Sequence, residues 1–263
     1  MESRQRSSPV YGCLALGSVA MGSALQVEVR EFCNVTPDCV VPELHRNAVH
    51  VWNRPLQASS TSVQQFYTLL STEERERAGR YHFDVHRNAF ILTRATLRVL
   101  IAGYIGNEPE ALCFTYAHYG KPMLDATDEL RFNVSHTDGM AVLAFVKGRE
   151  IGVDVEKLRE QRDARALAER FFSMKERQAL EKLSDDEVDA AFFRCWTRKE
   201  AYIKAKGEGL SLPLHQFDVS IEASEGQLLL ATRPDSSEAS RWILRDFPAA
   251  PGYVAALAVA EAG

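Results

Sequence analysis

No two cysteines in this sequence stand at a metal-binding spacing. The five (Cys13, Cys33, Cys39, Cys113 and Cys195) are odd in number and include no C-x-x-C. A zinc site or a disulfide framework is therefore not expected to organise the fold, and a reducing cytoplasm is the expected setting. Positive charge is also in short supply. Thirty-one Lys and Arg against 36 Asp and Glu leave a formal charge of −5, which excludes global attraction to nucleic acid or an anionic membrane. Nor is there an apolar run suited to a bilayer. Residues 10–25, VYGCLALGSVAMGSAL behind Arg4 and Arg6, are diluted by glycine and serine and are too short to span one. The reading adopted for residues 1–47 is a poorly ordered leader, rather than a signal peptide, that contributes little to the fold.

What is present is enough for a substantial core: 263 residues, 46% of them hydrophobic, in one large domain or two modest ones. VHVW (49–52) is the first strand signal. Helical signals follow: Val63, Phe66 and Leu70 at helix spacing, an S-x-x-E capping box at Ser71 and Glu74, and an amphipathic stretch over about 84–105 closed by Gly106. LCFTY (112–116), RFNVSH (131–136) and MAVLAFV (140–146) read as strands. The same order then recurs. IGVDVE (151–156) opens it, and helices are expected over 164–172, 174–183 and 188–206, two of them begun by Ser173/Glu176 and Ser184/Glu187 boxes. Strands at 216–221, 227–232, 241–247 and 252–260 finish the chain. There is no residue-level repeat. The repeated order predicts an α+β pseudo-dimer of two similar α/β subdomains, residues 48–146 and 147–263, with the ligand site in the cleft between them.

Three clusters carry chemistry. In IGVDVE the pleat sets Asp154 and Glu156 on one face, about 6.6 Å apart along the backbone, and Gly152 on that face is read as leaving room for a ligand. Two such acids can lean onto one hard cation if a phosphate completes its shell, although an isolated D-x-E is more often a solvated acidic face. In FFRCWTRKEAYIKAKGEGLSLPL (192–214), Trp196, Glu200 and Lys204 recur at i, i+4 and i+8 and form one helical stripe. An exposed Glu–Lys pair at that spacing is an ordinary helix stabiliser, but the tryptophan argues that the stripe faces protein or ligand. In FNVSHTDG (132–139), Asn133 and Ser135 share a strand face and His136 ends the strand. The long helix adds Arg87, Arg94 and Arg98, usually surface groups, whose forked donors also suit a terminal phosphate.

Taken in order, HRNAFILTRATLR, GKP, FNVSH, IGVDVE, RFFSMKE and WTRKEAYIKAKGEGLSLPL closely resemble the motifs of the larger, surfactin-type 4′-phosphopantetheinyl transferases, in their Trp-Lys-Glu-Ala subgroup. The resemblance spans about residues 49–260. It implies a pseudo-dimer with the active site between its halves. It also implies transfer of phosphopantetheine from coenzyme A to a serine hydroxyl of an apo acyl or peptidyl carrier protein, with release of adenosine 3′,5′-bisphosphate. Carried over, Asp154, Glu156 and Glu200 look like the acids that hold Mg2+. His136 and Arg87 resemble contacts to the 3′-phosphate, and Ser135, Lys121, Lys199 and Lys204 match positions that line the phosphates. Glu200 and Lys204 are the expected catalytic pair: Glu200 takes the serine proton, directly or through a water, and Lys204 supplies charge. Glu176 is read as a helix cap.

The chain departs from the pattern where some relatives carry two lysines against the coenzyme. Here the stretch reads TEERERAGRYHF (72–83), with Arg77 at one place and Glu74 or Arg75 near the other. Arg75, Arg77 and Arg80 are candidate docking charges for an acidic carrier helix. The expected enzyme is a cytoplasmic monomer without nucleic-acid or membrane partners. Fatty-acid and secondary-metabolite pathways are both open as its destination. The competing readings are a non-catalytic coenzyme A or carrier-protein binding module, and a magnesium-dependent phosphohydrolase sharing the D-x-E pair.

Overall fold

A computed structural model describes residues 15–21, 25–32, 41–116, 120–124, 129–223 and 227–262. The first half contains β1 (Ala15–Met21), β2 (Leu25–Glu31), β3 (Ala48–Pro55), α1 (Ser60–Thr68), α2 (Thr72–Gly79), α3 (Asp84–Ile105), β4 (Phe114–Tyr116), β5 (Pro122–Leu124), β6 (Leu130–Thr137) and β7 (Met140–Lys147). The second contains β8 (Ile151–Lys157), α4 (Ala164–Phe171), α5 (Met174–Leu180), α6 (Asp185–Lys206), β9 (Phe217–Val219), β10 (Leu229–Thr232), β11 (Trp242–Asp246) and β12 (Tyr253–Ala260). From β3 to β7 and from β8 to β12 the order is the same: one strand, two short helices, a 22-residue helix and four strands. In each half the opening strand pairs antiparallel with the last, and the last with the one before it, giving β3-β7-β6 and β8-β12-β11. The pseudo-dimer expected from the element order is present.

Alternation along the strands explains the layering. In β3 and β7, Trp52, Leu143 and Phe145 point one way and pack with Leu92, Leu97 and Leu100 of α3. Val49, Val51, Val142, Ala144 and Val146 point the other way and meet Ile151, Val153, Val155, Leu257 and Val259 of the second sheet. The free face of that second sheet, with Ala256 and Ala258, is covered by Phe192, Ala201, Tyr202 and Ile203 of α6. The result is helix, sheet, sheet, helix. Both long helices stop at a glycine in the left-handed region, Gly106 (φ 67°) and Gly207 (φ 72°), where a side chain would be strained.

The leader reading needs correction. Within 1–47, residues 25–31 form β2, which runs parallel to β3, and β1 extends the same sheet. Leu25, Val27, Val29 and Phe32 are buried in the core. An alternating LQVEVRE segment has the period of a half-buried strand, and it directly follows the glycine-diluted stretch. Smaller differences are boundary effects. The helix expected over 188–206 begins at Asp185, directly after its Ser184 cap, and the one expected to reach 183 ends at Leu180.

By length and composition α3 could cross a bilayer, the only such helix among the described residues. Its apolar residues Ile91, Leu92, Leu97, Leu100 and Ile101 are instead consumed by the first core, which accounts for its hydropathy without a membrane.

Candidate active site

The site begins at Gly152. A Cβ placed there would stand 2.1 Å from the Ala201 carbonyl oxygen and 2.3 Å from the Ala205 nitrogen. The glycine does not make space for a ligand, as the sequence suggested. It lets the backbone of α6 lie directly on β8. Asp154 and Glu156 extend from the same strand face beyond that contact, and Glu200 and Lys204 each precede one of the touching residues on the helix. Close approach at one glycine therefore converges four charged side chains from two elements.

The first half completes the cluster through β6. Phe132 and Val134 of that strand belong to the α3 core, so Asn133, Ser135 and Thr137 face the second half. Each bonds to β8. The Val153 N–H donates to Asn133 Oδ1 (2.8 Å), Ser135 Oγ–H to Asp154 Oδ1 (2.7 Å), and Thr137 Oγ–H to Glu156 Oε2 (3.2 Å). One side chain of the first half, Asn133, thus satisfies an edge N–H of the other's sheet, and two more hold its acids, which puts the candidate site on the seam between the halves.

Lys204 Nζ donates to the same Asp154 Oδ1 (2.6 Å) and to Ser135 Oγ (2.9 Å). Asp154 is 4% exposed, yet its Oδ2 has no hydrogen-bond partner. A buried carboxylate oxygen left unpaired is costly and calls for an explanation. The neighbouring acids supply one. Burial, then the charge of Asp154, raises the Glu156 pKa. Burial raises that of Glu200 against the pull of Lys204, with Asp154 and Glu156 adding to the rise. Glu156 and Glu200 are thus both held above the ordinary range for a glutamate, beside an Asp154 that carries an orphan oxygen, and carboxylates of this kind are the ones that could hold a hard divalent cation. Among the described residues no three such groups are close enough to hold an ion in their present arrangement.

On the opposite face of β6, His136 lines a cavity of about 700 Å3 with Tyr81, His86, Phe90 and Arg94. Thr137 also lines it while bonding Glu156, so the cavity runs up to the acidic cluster. Burial lowers the His136 pKa, and Lys204 lowers it further.

The structure does not bring every expected residue here. Lys199 is fully buried on another side of α6, donating to the Leu214 and Phe217 carbonyls (2.7 Å each) and paired with Glu176 (2.8 Å). All three of its protons are used, and it does not line the site. Glu176 keeps its helix-capping bond to the Ser173 N–H and also accepts from the Val219 N–H, consistent with a cap. Lys121 donates to the Ile151 and Lys204 carbonyls (3.0 and 3.2 Å) and so ties the start of β8 to the end of α6, about 10 Å along the strand from Asp154. Arg87 is half-buried and drawn to Asp84 one turn back (2.9 Å); its neighbour His86 reaches the cavity instead. Trp196 packs on Phe171 and Phe192 in the second core. Thr137 was not singled out from sequence, although its two-residue spacing from Ser135 put it on the same face.

Comparison with known proteins agrees with this architecture. The model for the 4′-phosphopantetheinyl transferase N-terminal family matches residues 54–147, and that for the 4′-phosphopantetheinyl transferase superfamily matches residues 150–258. The 4′-phosphopantetheinyl transferase HetI of Nostoc sp. is 37% identical over 218 residues, which cover 82% of this chain and 89% of HetI. The 4′-phosphopantetheinyl transferase Sfp of Bacillus subtilis is 32% identical over 211 residues, covering 80% of this chain and 89% of Sfp. A putative 4′-phosphopantetheinyl transferase of Synechocystis sp. is 34% identical over 188 residues, 71% of this chain and 75% of its own. With both halves matched, and with relatives aligned over most of their length, this chain belongs to the 4′-phosphopantetheinyl transferase superfamily.

Proposed function

We propose that the protein transfers the 4′-phosphopantetheine group of coenzyme A to a serine hydroxyl of an apo acyl or peptidyl carrier protein, releasing adenosine 3′,5′-bisphosphate. We place it in the surfactin-type, Trp-Lys-Glu-Ala subgroup, acting as a cytoplasmic monomer. The observation that carries the chemistry is the Asp154–Ser135–Lys204 cluster at the seam, with the unpaired Asp154 oxygen beside Glu156 and Glu200.

The serine oxygen attacks the phosphorus that bears pantetheine. The bond from that phosphorus to the oxygen of the adenosine-side phosphate breaks, and adenosine bisphosphate departs with the electron pair. Such displacements depend on positioning and on neutralising charge at the phosphate oxygens. Asp154, Glu156 and Glu200 are the residues that would hold Mg2+, which supplies positive charge against the pyrophosphate when bound. Lys204 adds a second positive group; two of its protons are committed to Asp154 and Ser135, leaving the third for a phosphate oxygen. Ser135 and Asp154 fix the lysine in place. Glu200, one helical turn from Lys204 on the same face of α6, takes the proton of the attacking serine, directly or through a water. His136, lining the cavity that reaches this cluster, contacts the nucleotide end of the coenzyme.

The test is direct. The protein is incubated with Mg2+, coenzyme A and several apo carrier proteins, and the carriers are weighed by mass spectrometry. A carrier gaining one phosphopantetheine supports the reading. No gain on any carrier type, with coenzyme A still bound, leaves only a binding module.

A further inference from the structure

The cavity beside His136 has a charged wall that the transfer chemistry does not use. It is built on Glu74, which is buried and is also the N3 residue of the α2 capping box. Glu74 Oε2 accepts from the Ser71 N–H (3.0 Å) and from Arg98 Nε (2.6 Å). Arg98 further donates to the Pro109 and Leu112 carbonyls (2.7 and 3.1 Å). Glu74 and Arg98 thus cancel in charge and are well satisfied.

Arg94, one helical turn earlier, is the remainder. Its Nε lies 3.5 Å from Glu74 Oε1, its side chain is 9% exposed, and its Nη1 has no hydrogen-bond partner. The guanidinium is held over the Phe114 ring (5.0 Å) and the Tyr116 ring (5.8 Å). One acid therefore faces two buried arginines, and a net positive charge is left at the wall of the cavity. A buried cation that shares its only counter-charge with a second arginine is costly to keep, and an arriving anion relieves that cost. Arg77, over Phe90, lies on the same wall. The one acid lining this cavity, Asp138, is largely exposed and already paired with Lys157 (2.6 Å). At about 700 Å3 the cavity has the size of a nucleotide-scale ligand site.

We infer that Arg94, preset by the Glu74–Arg98 pair, is the specificity-determining cation of the nucleotide cavity and selects coenzyme A over its 3′-dephospho form. This rests on the transferase reading above. It also accounts for the sequence departure in α2: the carboxylate at Glu74 is not a lost phosphate contact but the anchor of one supplied from α3.

The experiment compares kcat/KM for coenzyme A and for 3′-dephospho-coenzyme A in the full-length protein, Arg94→Gln and Arg94→Met. The ratio of the two is independent of how much variant is folded. Both substitutions leave Glu74 paired with Arg98, and the methionine keeps apolar bulk under Phe114 and Tyr116. The wild type is expected to prefer coenzyme A, and each neutral variant to lose about tenfold or more of that preference, as removal of a charge-assisted contact does. A second measurement uses no turnover: adenosine 3′,5′-bisphosphate should raise the wild-type melting temperature more than adenosine 5′-monophosphate does, and the difference should vanish in the variants. A wild type without preference, or variants that retain it in both measurements, overturns the role of Arg94. A wild type that transfers from neither coenzyme overturns the transferase reading instead.

Discussion

Gly152 lies so close to Ala201 that a Cβ on the strand residue would stand 2.1 Å from the helix carbonyl oxygen. The collision partners are backbone atoms, so no rotamer change relieves it. That single contact sets the height of α6 above β8, and hence the reach of Glu200 and Lys204 to Asp154. Gly152→Ala is expected to push the helix off the sheet. Overpacking of this kind costs about 1–3 kcal/mol or more, and transfer should fall at least tenfold in the fraction that remains folded. Urea unfolding and turnover on the same preparation check both effects.

Glu200→Gln keeps the size of the side chain and removes both its basicity and its charge. Loss of a general base typically lowers the rate by about 10²- to 10⁴-fold. The expected outcome is a kcat lowered by at least about 100-fold with coenzyme A binding largely retained, measured by single-turnover transfer alongside calorimetry. Unchanged turnover removes Glu200 as base.

Lys199 and Lys204 share a helix and should differ in what their loss does to turnover. Lys199→Met strands Glu176, which is 2% exposed, without its cation. Breaking a buried pair from one side costs about 3–5 kcal/mol. Stability should drop by that order while the KM for coenzyme A, measured on folded protein, stays as in wild type. Lys204→Met also strands a buried acid, Asp154 at 4% exposure, so stability should fall here too, but in the fraction that remains folded most of the turnover should be lost. If the KM follows Lys199, the lysine touches the coenzyme after all.

His50 gives the fold a pH dependence. It is 1% exposed, shares a hydrogen bond between its Nδ1 and the Tyr104 hydroxyl (2.9 Å), and burial lowers its pKa from 6.5 to about 4. The folded state therefore binds its proton less readily than the unfolded chain. Its contribution is complete above pH 6.5 and is lost as pH falls from 6.5 to about 4, a change of about 3 kcal/mol at 1.36 kcal/mol per pKa unit. Chemical denaturation across that window should show the decline. His50→Gln, which does not titrate, should flatten it.

Much of the site was legible because it follows from local geometry. The pleat put Asp154 and Glu156 on one face, and the helical repeat put Glu200 and Lys204 one turn apart. Capping boxes at Ser71 and Ser173 have the expected bonds. The order of elements disclosed the two halves. Misreadings arose where the partner, rather than the pattern, decides the role. Gly152 shares the acids' face, but nothing local says that a helix backbone rather than a ligand approaches it. The β2 strand has a clear alternation, yet its burial depends on a parallel neighbour that starts at Ala48, 17 residues after β2 ends at Glu31.

The two lysines of α6 mark the division. By itself the sequence determined that they lie on one helix, five residues apart, and so point about 140° away from each other. It determined the alternation of β8 and the seven-residue interval between Arg87 and Arg94. Only the tertiary structure decided which lysine meets Asp154 and which meets Glu176, and that Arg94 rather than Arg87 reaches the cavity. The physical reason is that chain stereochemistry sets directions within an element, whereas burial, charge pairing and the approach at Gly152 are settled between elements distant in the chain.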